Sequence, residues 1–284
     1  MKTLIAVLAA SFAISPITFS HRACKGILPP NDMYIPITIK QDGGITEKDF
    51  NTVLDRIEAY FTPVFDKVGA ELNVARRWED GTVNAYADQR GDIWSITMYG
   101  GLARHPAITK DGFALVACHE IGHHIGGAPK YRYMGWATNE GAADYYATLK
   151  CMREIFGNDD NEKIVQELNP DAYLVEHCQQ LHSETAEQAL CMRAGMAGKS
   201  LAMLFWDFDQ GELPNFATPD PAEVDETDDQ HPATQCRLDT YYAGSICTVP
   251  VTDSVSQRDP RPGSCYGDSF AQRSLRPRCW FKPL

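Results

Sequence analysis

The sequence predicts an α+β fold, and three observations lead there. Stretches with apolar residues every three to four positions alternate with short stretches of period two punctuated by Gly and Asp, so one chain carries both helices and a small sheet. The composition, 44% hydrophobic and 23% charged over 284 residues, is that of a chain able to bury a core, in one or two domains. Nine cysteines, with no Cys-x-x-Cys pair among them, indicate a disulfide framework rather than a zinc ribbon or a thioredoxin-type redox site.

Taken in order, Met1-Lys2 supplies a positive start, and Thr3 to Ile14 is almost wholly apolar. Pro16 breaks the run, and Thr18-Phe19-Ser20 offers small residues at a cleavage site. Residues 1–20 are therefore expected to be an export signal. The run is short for a bilayer crossing and no later stretch approaches one, so no stable membrane span is expected. The protein is expected to be exported, to a periplasm or to the outside medium. Residues 21–245 are expected to form the main domain and residues 246–284 a Cys- and Pro-rich tail wrapped on its surface.

Thr46 opens a helical pattern that runs through Phe50, Val53, Leu54, Ile57, Phe61, Val64, Phe65 and Val68. Leu72 to Trp78, Val83 to Ala87 and Ile93 to Met98 read as three strands separated by Glu79-Asp80-Gly81 and by residues 88–92, a small antiparallel meander. A helix is expected over 111–125, stopped by Gly126-Gly127. Others are expected over 139–156, 171–181 and 184–205, and one more after Pro232. Residues 207–230 hold nine acidic side chains and no Lys or Arg, and read as a solvated loop.

The net charge of −12 moves to near −13 once Lys2 is removed with the signal. Such a chain offers no basic face for phosphates, which argues against nucleic acid as a partner. Of the nine cysteines, Cys118 precedes the motif described next and should be buried with it. It is the expected unpaired thiol, which leaves eight cysteines for four disulfides.

His119-Glu120-Ile121-Gly122-His123 carries the chemistry. Residues four apart share one helix face, so both imidazoles can reach one ion, and Glu120 can reach a water beside it. A catalytic zinc takes three protein ligands and keeps one position open. The metzincin pattern would place a third His six residues after His123, where Pro129 stands. Glu140, opening the next helix in Asn139-Glu140-Gly141-Ala142-Ala143-Asp144, can complete a two-His, one-Glu set. Asp144, one turn further on the same face, can accept the outer N–H of a ligating His. Asn139 stands beside the same set. Ala142-Ala143 permit close helix contact.

These residues resemble the HtpX-type and CAAX-prenyl-protease class of gluzincin metallopeptidases, in five features that occur in the right order. Asn84-Ala85-Tyr86-Ala87 is similar to that family's Asn-Ala-Phe-Ala strand, and Ile93 to Leu102 to the strand and turn that precede its zinc helix. His119 to His123 is the zinc motif, Glu140 to Asp144 fits Glu-x-x-Ala-Asp, and His231-Pro232 with Arg237 fits a late His-Pro-x-x-x-x-Arg element. The resemblance covers about residues 46–245. It implies a compact zincin (mini-gluzincin) fold, with a small antiparallel sheet on an active-site helix, and zinc-dependent hydrolysis of peptide bonds. It makes His119, His123 and Glu140 the ligands of one catalytic zinc ion, Glu120 the base, and His231 and Arg237 active-site residues. Many members carry membrane helices or helical-repeat tails that this chain lacks, so substrate and physiological role do not transfer.

On this reading His231 donates to a developing oxyanion, Arg237 orients His231 or a substrate carbonyl, and a peptide strand adds to the sheet edge at Asn84, Ala85 and Tyr86. The expected partner is an extended or unfolded protein or peptide substrate. Two alternatives stand beside it: an exported assembly or chaperone-like factor on the same scaffold, and a zinc hydrolase of cell-wall peptides.

Overall fold

The structure, a computed structural model, describes residue 24 and residues 26–38 and 43–284. The expected export signal lies outside the described residues. Thr46 caps α1 (Glu47–Asp66), its hydroxyl accepting from the Asp49 amide at 3.1 Å. One face of α1 buries Phe50, Val53, Leu54, Ile57, Phe61 and Phe65. Each such side chain contributes about 1.5–3 kcal/mol on leaving water. Val68, included in the sequence pattern, lies beyond the helix end and is exposed.

Strands β1 (Glu71–Arg77), β2 (Ala85–Arg90) and β3 (Ile93–Tyr99) follow. The sheet runs in the order β1-β3-β2, with β1 parallel and β2 antiparallel to β3. This corrects the antiparallel meander. β3 returns between its two predecessors, bringing Ile96 opposite both Val74 and Ala87. A period of two says which side chains face the core but not which strand lies alongside; packing on α1 decides that. The turn expected over 88–92 shrinks to residues 91–92, because β2 pairs with β3 as far as Arg90. The outer edge of β2 is then free of the sheet and takes the N-terminal segment instead. The Cys24 amide donates to the Ala87 carbonyl at 3.0 Å and the Ile27 amide to that of Ala85 at 3.2 Å.

A short helix, α2 (Gly100–Arg104), leads to α3 (Lys110–Ile125), which is capped by Thr109 and packs against α1, β2 and β3. Nearly every side of α3 is buried, as suits a helix at the centre of a core. A hairpin of β4 (Lys130–Tyr131) and β5 (Met134–Thr138) then feeds α4 (Glu140–Tyr146), capped by the Asn139 side chain on the Ala142 amide at 3.0 Å. The single helix expected over 139–156 is interrupted by a π-helical turn, Ala147–Cys151, before α5 (Met152–Phe156). α6 (Asn161–Leu168), unanticipated, is only two turns long; α7 (Ala172–Leu181), α8 (Thr185–Asp209) and α9 (Thr234–Ile246) follow.

Four disulfides are present: Cys118–Cys151, Cys178–Cys191, Cys236–Cys279 and Cys247–Cys265. The free thiol is Cys24, not Cys118. Cys118 is buried as expected, but its face of α3 meets the π-helical turn, where Cys151 waits; only the packing of two helices brings the pair together. Cys236–Cys279 clamps the tail onto α9, and Cys247–Cys265 closes a loop of the tail on the residue that follows α9. Trp280, fully buried, donates from Nε1 to the Thr240 hydroxyl at 3.0 Å. No helix among the described residues is long and apolar enough to cross a membrane. Four disulfides and the absence of such a helix are consistent with export.

Candidate metal centre

Two helices and a hairpin build the centre. His119, Glu120 and His123 project from α3, Glu140 and Asp144 from α4, and the close approach of the helices requires Gly122. A Cβ there would stand 3.2 Å from the Cα and carbonyl oxygen of Ala143. Glu140 is placed by the Asn139 cap at the first residue of α4.

His119, His123 and Glu140 are fully buried, and their ligand atoms lie within 4.8 Å of one another. His119 Nε2 is 3.2 Å from Glu140 Oε2, and His123 Nε2 is 3.8 Å from Glu140 Oε1. His119 Nε2, His123 Nε2 and Glu140 Oε2 have no hydrogen-bond partner, although a buried polar atom ordinarily has one. The outer nitrogens are engaged instead. His119 Nδ1 donates to Asp144 Oδ1 at 2.7 Å and His123 Nδ1 to the Thr138 carbonyl at 2.8 Å. In its neutral form each ring is thereby fixed in the tautomer that turns an Nε2 lone pair inward. Two imidazole lone pairs and a carboxylate, convergent and otherwise unsatisfied, fit a divalent metal ion.

The electrostatics agree with that donor set. Burial opposes a charge on His119, yet the Asp144 and Glu140 carboxylates outweigh it and raise its pKa to about 10. The site thus attracts positive charge. Burial lowers His123 to about 4, so that ring is neutral and able to ligate. Burial would raise Glu140, but the His231, His123 and His119 rings hold it well below the usual carboxylate range. Burial raises Glu120 to about 8; both of its carboxyl oxygens are buried without partners.

Around this set the structure gathers further contacts. The Tyr131 hydroxyl donates to Glu140 Oε1. Asp144 accepts from Arg237 twice, at 2.8 Å each from Nε and Nη2, and from the Tyr241 hydroxyl at 2.6 Å. Burial opposes its charge as well, but the Arg237 guanidinium and His119 bring its pKa down to about 2. Arg237 makes no hydrogen bond to His231; its remaining Nη1 donates to the Ile27 carbonyl at 2.6 Å. His231 Nε2 donates to the Gly26 carbonyl at 2.7 Å and lies 3.4 Å from Glu140 Oε2.

Asn139 stands one step away from the ligands. Its amide donates to the Asp228 carbonyl and to Asp229 Oδ1. The acidic stretch is therefore not wholly solvated: Asp229 is buried and also accepts from the Arg132 amide at 2.9 Å. Ala85 and Tyr86 open β2, and Asn84 stands just before them. The Asn84 side chain accepts from the Leu28 amide and donates to the Leu28 carbonyl, both at 3.1 Å. Tyr241 could have been found from its four-residue spacing to Arg237. Tyr131 and the Thr138 carbonyl had no such signal. His124 is buried away from the ligands, stacked on Trp94 and Trp136 and hydrogen-bonded to the Ser95 carbonyl.

Comparison of the chain with known protein families, with curated proteins and with solved structures finds no match.

Proposed function

We propose that this chain is a zinc metalloendopeptidase of the HtpX-like gluzincin type, on a compact zincin (mini-gluzincin) scaffold, cleaving extended or unfolded protein segments. One observation carries the reading: a buried His-His-Glu set with unpartnered ligand atoms stands beside a glutamate whose two oxygens are likewise buried and unpartnered. A structural metal site has no use for that additional carboxyl group. His119, His123 and Glu140 would hold the ion. Bound there, zinc acidifies water toward neutrality and polarises a carbonyl group.

The chain's own residues do the rest. Glu120 takes the proton of the attacking water and returns it to the leaving amine. His231 presents an N–H that already engages a main-chain carbonyl next to Glu140, and the same N–H supports negative charge as it develops on a substrate carbonyl oxygen. Arg237 works through Asp144, which holds the His119 ring. Complete burial of the four motif side chains keeps bulk water out. That same burial favours the second reading, a non-catalytic scaffold, and one experiment separates the two.

Zinc content and casein cleavage should be measured for the wild type, Glu120→Gln and Glu140→Ala. One zinc per chain is expected in the first two and loss of zinc in the third. Cleavage should fall by about 10²- to 10⁴-fold in Glu120→Gln. Equal cleavage by wild type and Glu120→Gln would sink the base assignment, and tight zinc binding by Glu140→Ala would sink the ligand set.

A further inference from the structure

The edge of β2 is where an incoming peptide would pair, and the chain's own N-terminal segment lies on it. Cys24 and Ile27 donate main-chain hydrogen bonds to Ala87 and Ala85, and the Asn84 side chain brackets the backbone of Leu28 from both sides. The order is antiparallel to β2, the geometry of an added strand. The Gly26 carbonyl meets the group the mechanism would use on a substrate, and the Ile27 carbonyl meets the guanidinium that works through Asp144. The Gly26 oxygen accepts from His231 Nε2 and the Ile27 oxygen from Arg237 Nη1. His119, Glu120, His123 and Glu140 meanwhile have no exposed surface.

We propose that this segment is a resident peptide that occupies the substrate track and keeps the centre latent until it is displaced. The inference rests on the peptidase reading and deepens it. Ile27 and Leu28 anchor the segment, both completely buried in the main core. Cys24 is buried against Ala87, Tyr131 and Ala137. Gly26 explains why it sits as an occupant and not as a substrate. Its φ of +89° departs from the extended backbone a cleavable strand presents. The position also admits no side chain: a Cβ would stand 2.6 Å from Asn84 Oδ1 and 2.7 Å from both the Ala85 carbonyl oxygen and Tyr86 Cε1. A methyl group at residue 26 should therefore lift the segment off β2 while Ile27 and Leu28 remain in the core.

The test uses the full chain loaded with zinc. Gly26→Ala is compared with wild type for casein cleavage and for the rate at which Cys24 reacts with a thiol reagent. Cys24→Arg, which places a charge where only a small apolar group fits, is a second way to lift the segment should Gly26→Ala fail to fold. Thermal melting confirms that each variant is folded. A synthetic peptide of residues 22–26, the part that lifts while Ile27 and Leu28 stay in the core, is labelled with a fluorophore and supplied in trans.

Both folded variants should cleave casein at least about tenfold faster than wild type, because the open population rises with the strain introduced. The added peptide should bind them, suppress the gain, and fail to bind wild type. Cys24 in Gly26→Ala should react about tenfold faster, reporting that the segment has lifted. A folded Gly26→Ala with fast-reacting Cys24, cleaving no faster than an active wild type, would overturn the proposal. So would folded variants that bind no peptide. Variants that bind the peptide while no form cleaves would uphold the resident peptide and overturn the hydrolase reading, so the two failures are distinguishable.

Discussion

Asp144 decides most at the scale of single residues. It accepts from His119, Arg237 and Tyr241 at once, and so converts a buried cation on α9 into the fixed orientation of a ligand on α3. Asp144→Asn keeps the shape but loses an acceptor and a charge. Zinc affinity should fall about 10- to 100-fold, read by competition with a chelating dye. Stability should fall by about 3–5 kcal/mol, because Arg237 is then a buried charge without its partner. Unchanged affinity would show that the His119 ring is held by packing alone. The pairs His119–His123 and Glu140–Asp144 were legible, because their four-residue spacings are set by helix geometry. Tyr131 was not: it reaches Glu140 from a hairpin whose register no local pattern describes.

Two contacts between elements carry the centre. The first is the approach of α3 and α4 at Gly122. Gly122→Val should separate the helices, cost about 1–3 kcal/mol, and lower zinc content along with stability. A variant with full zinc and an unshifted melting temperature would mean that the helices have room to spare. The second tie is the Cys118–Cys151 bridge, whose removal should cost about 2–4 kcal/mol in chemical denaturation.

A third contact lies away from the site. Asp159 joins α1 to α8 through Arg56 at 2.7 Å and Arg193 at 2.8 Å. Burial works against the Asp159 charge, but the two guanidinium groups hold its pKa below the ordinary value. Stability from such a lowered carboxylate is present above the unfolded pKa and is lost as pH falls through the folded one. Asp159→Asn should therefore cost about 1–3 kcal/mol near pH 7, and its gap to wild type should begin to close below about pH 4. A gap independent of pH would show that the charge is not what stabilises this junction.

For the whole molecule, the centre joins the packing of α3, α4, the β4–β5 hairpin and α9 to the N-terminal segment, so metal removal should be felt globally. A ligand present at about a thousand times its dissociation constant adds about 4 kcal/mol. Chelation should thus lower the melting temperature by roughly 10 °C, followed by calorimetry, and zinc should restore it. The α+β class, the principal helices, four disulfides and the pairs His119–His123 and Glu140–Asp144 were determined by the sequence alone, since periodicity, cysteine number and helical spacing report local geometry. The sheet order, the partner of Cys118 and the interruption of the helix at Ala147–Cys151 were decided only by the tertiary structure. So were the contacts of Gly26 and Ile27 with His231 and Arg237, made between residues more than 200 positions apart. Such pairings depend on which folded surfaces meet, and no repeat along a chain encodes the shape of a surface that exists only after the chain has packed.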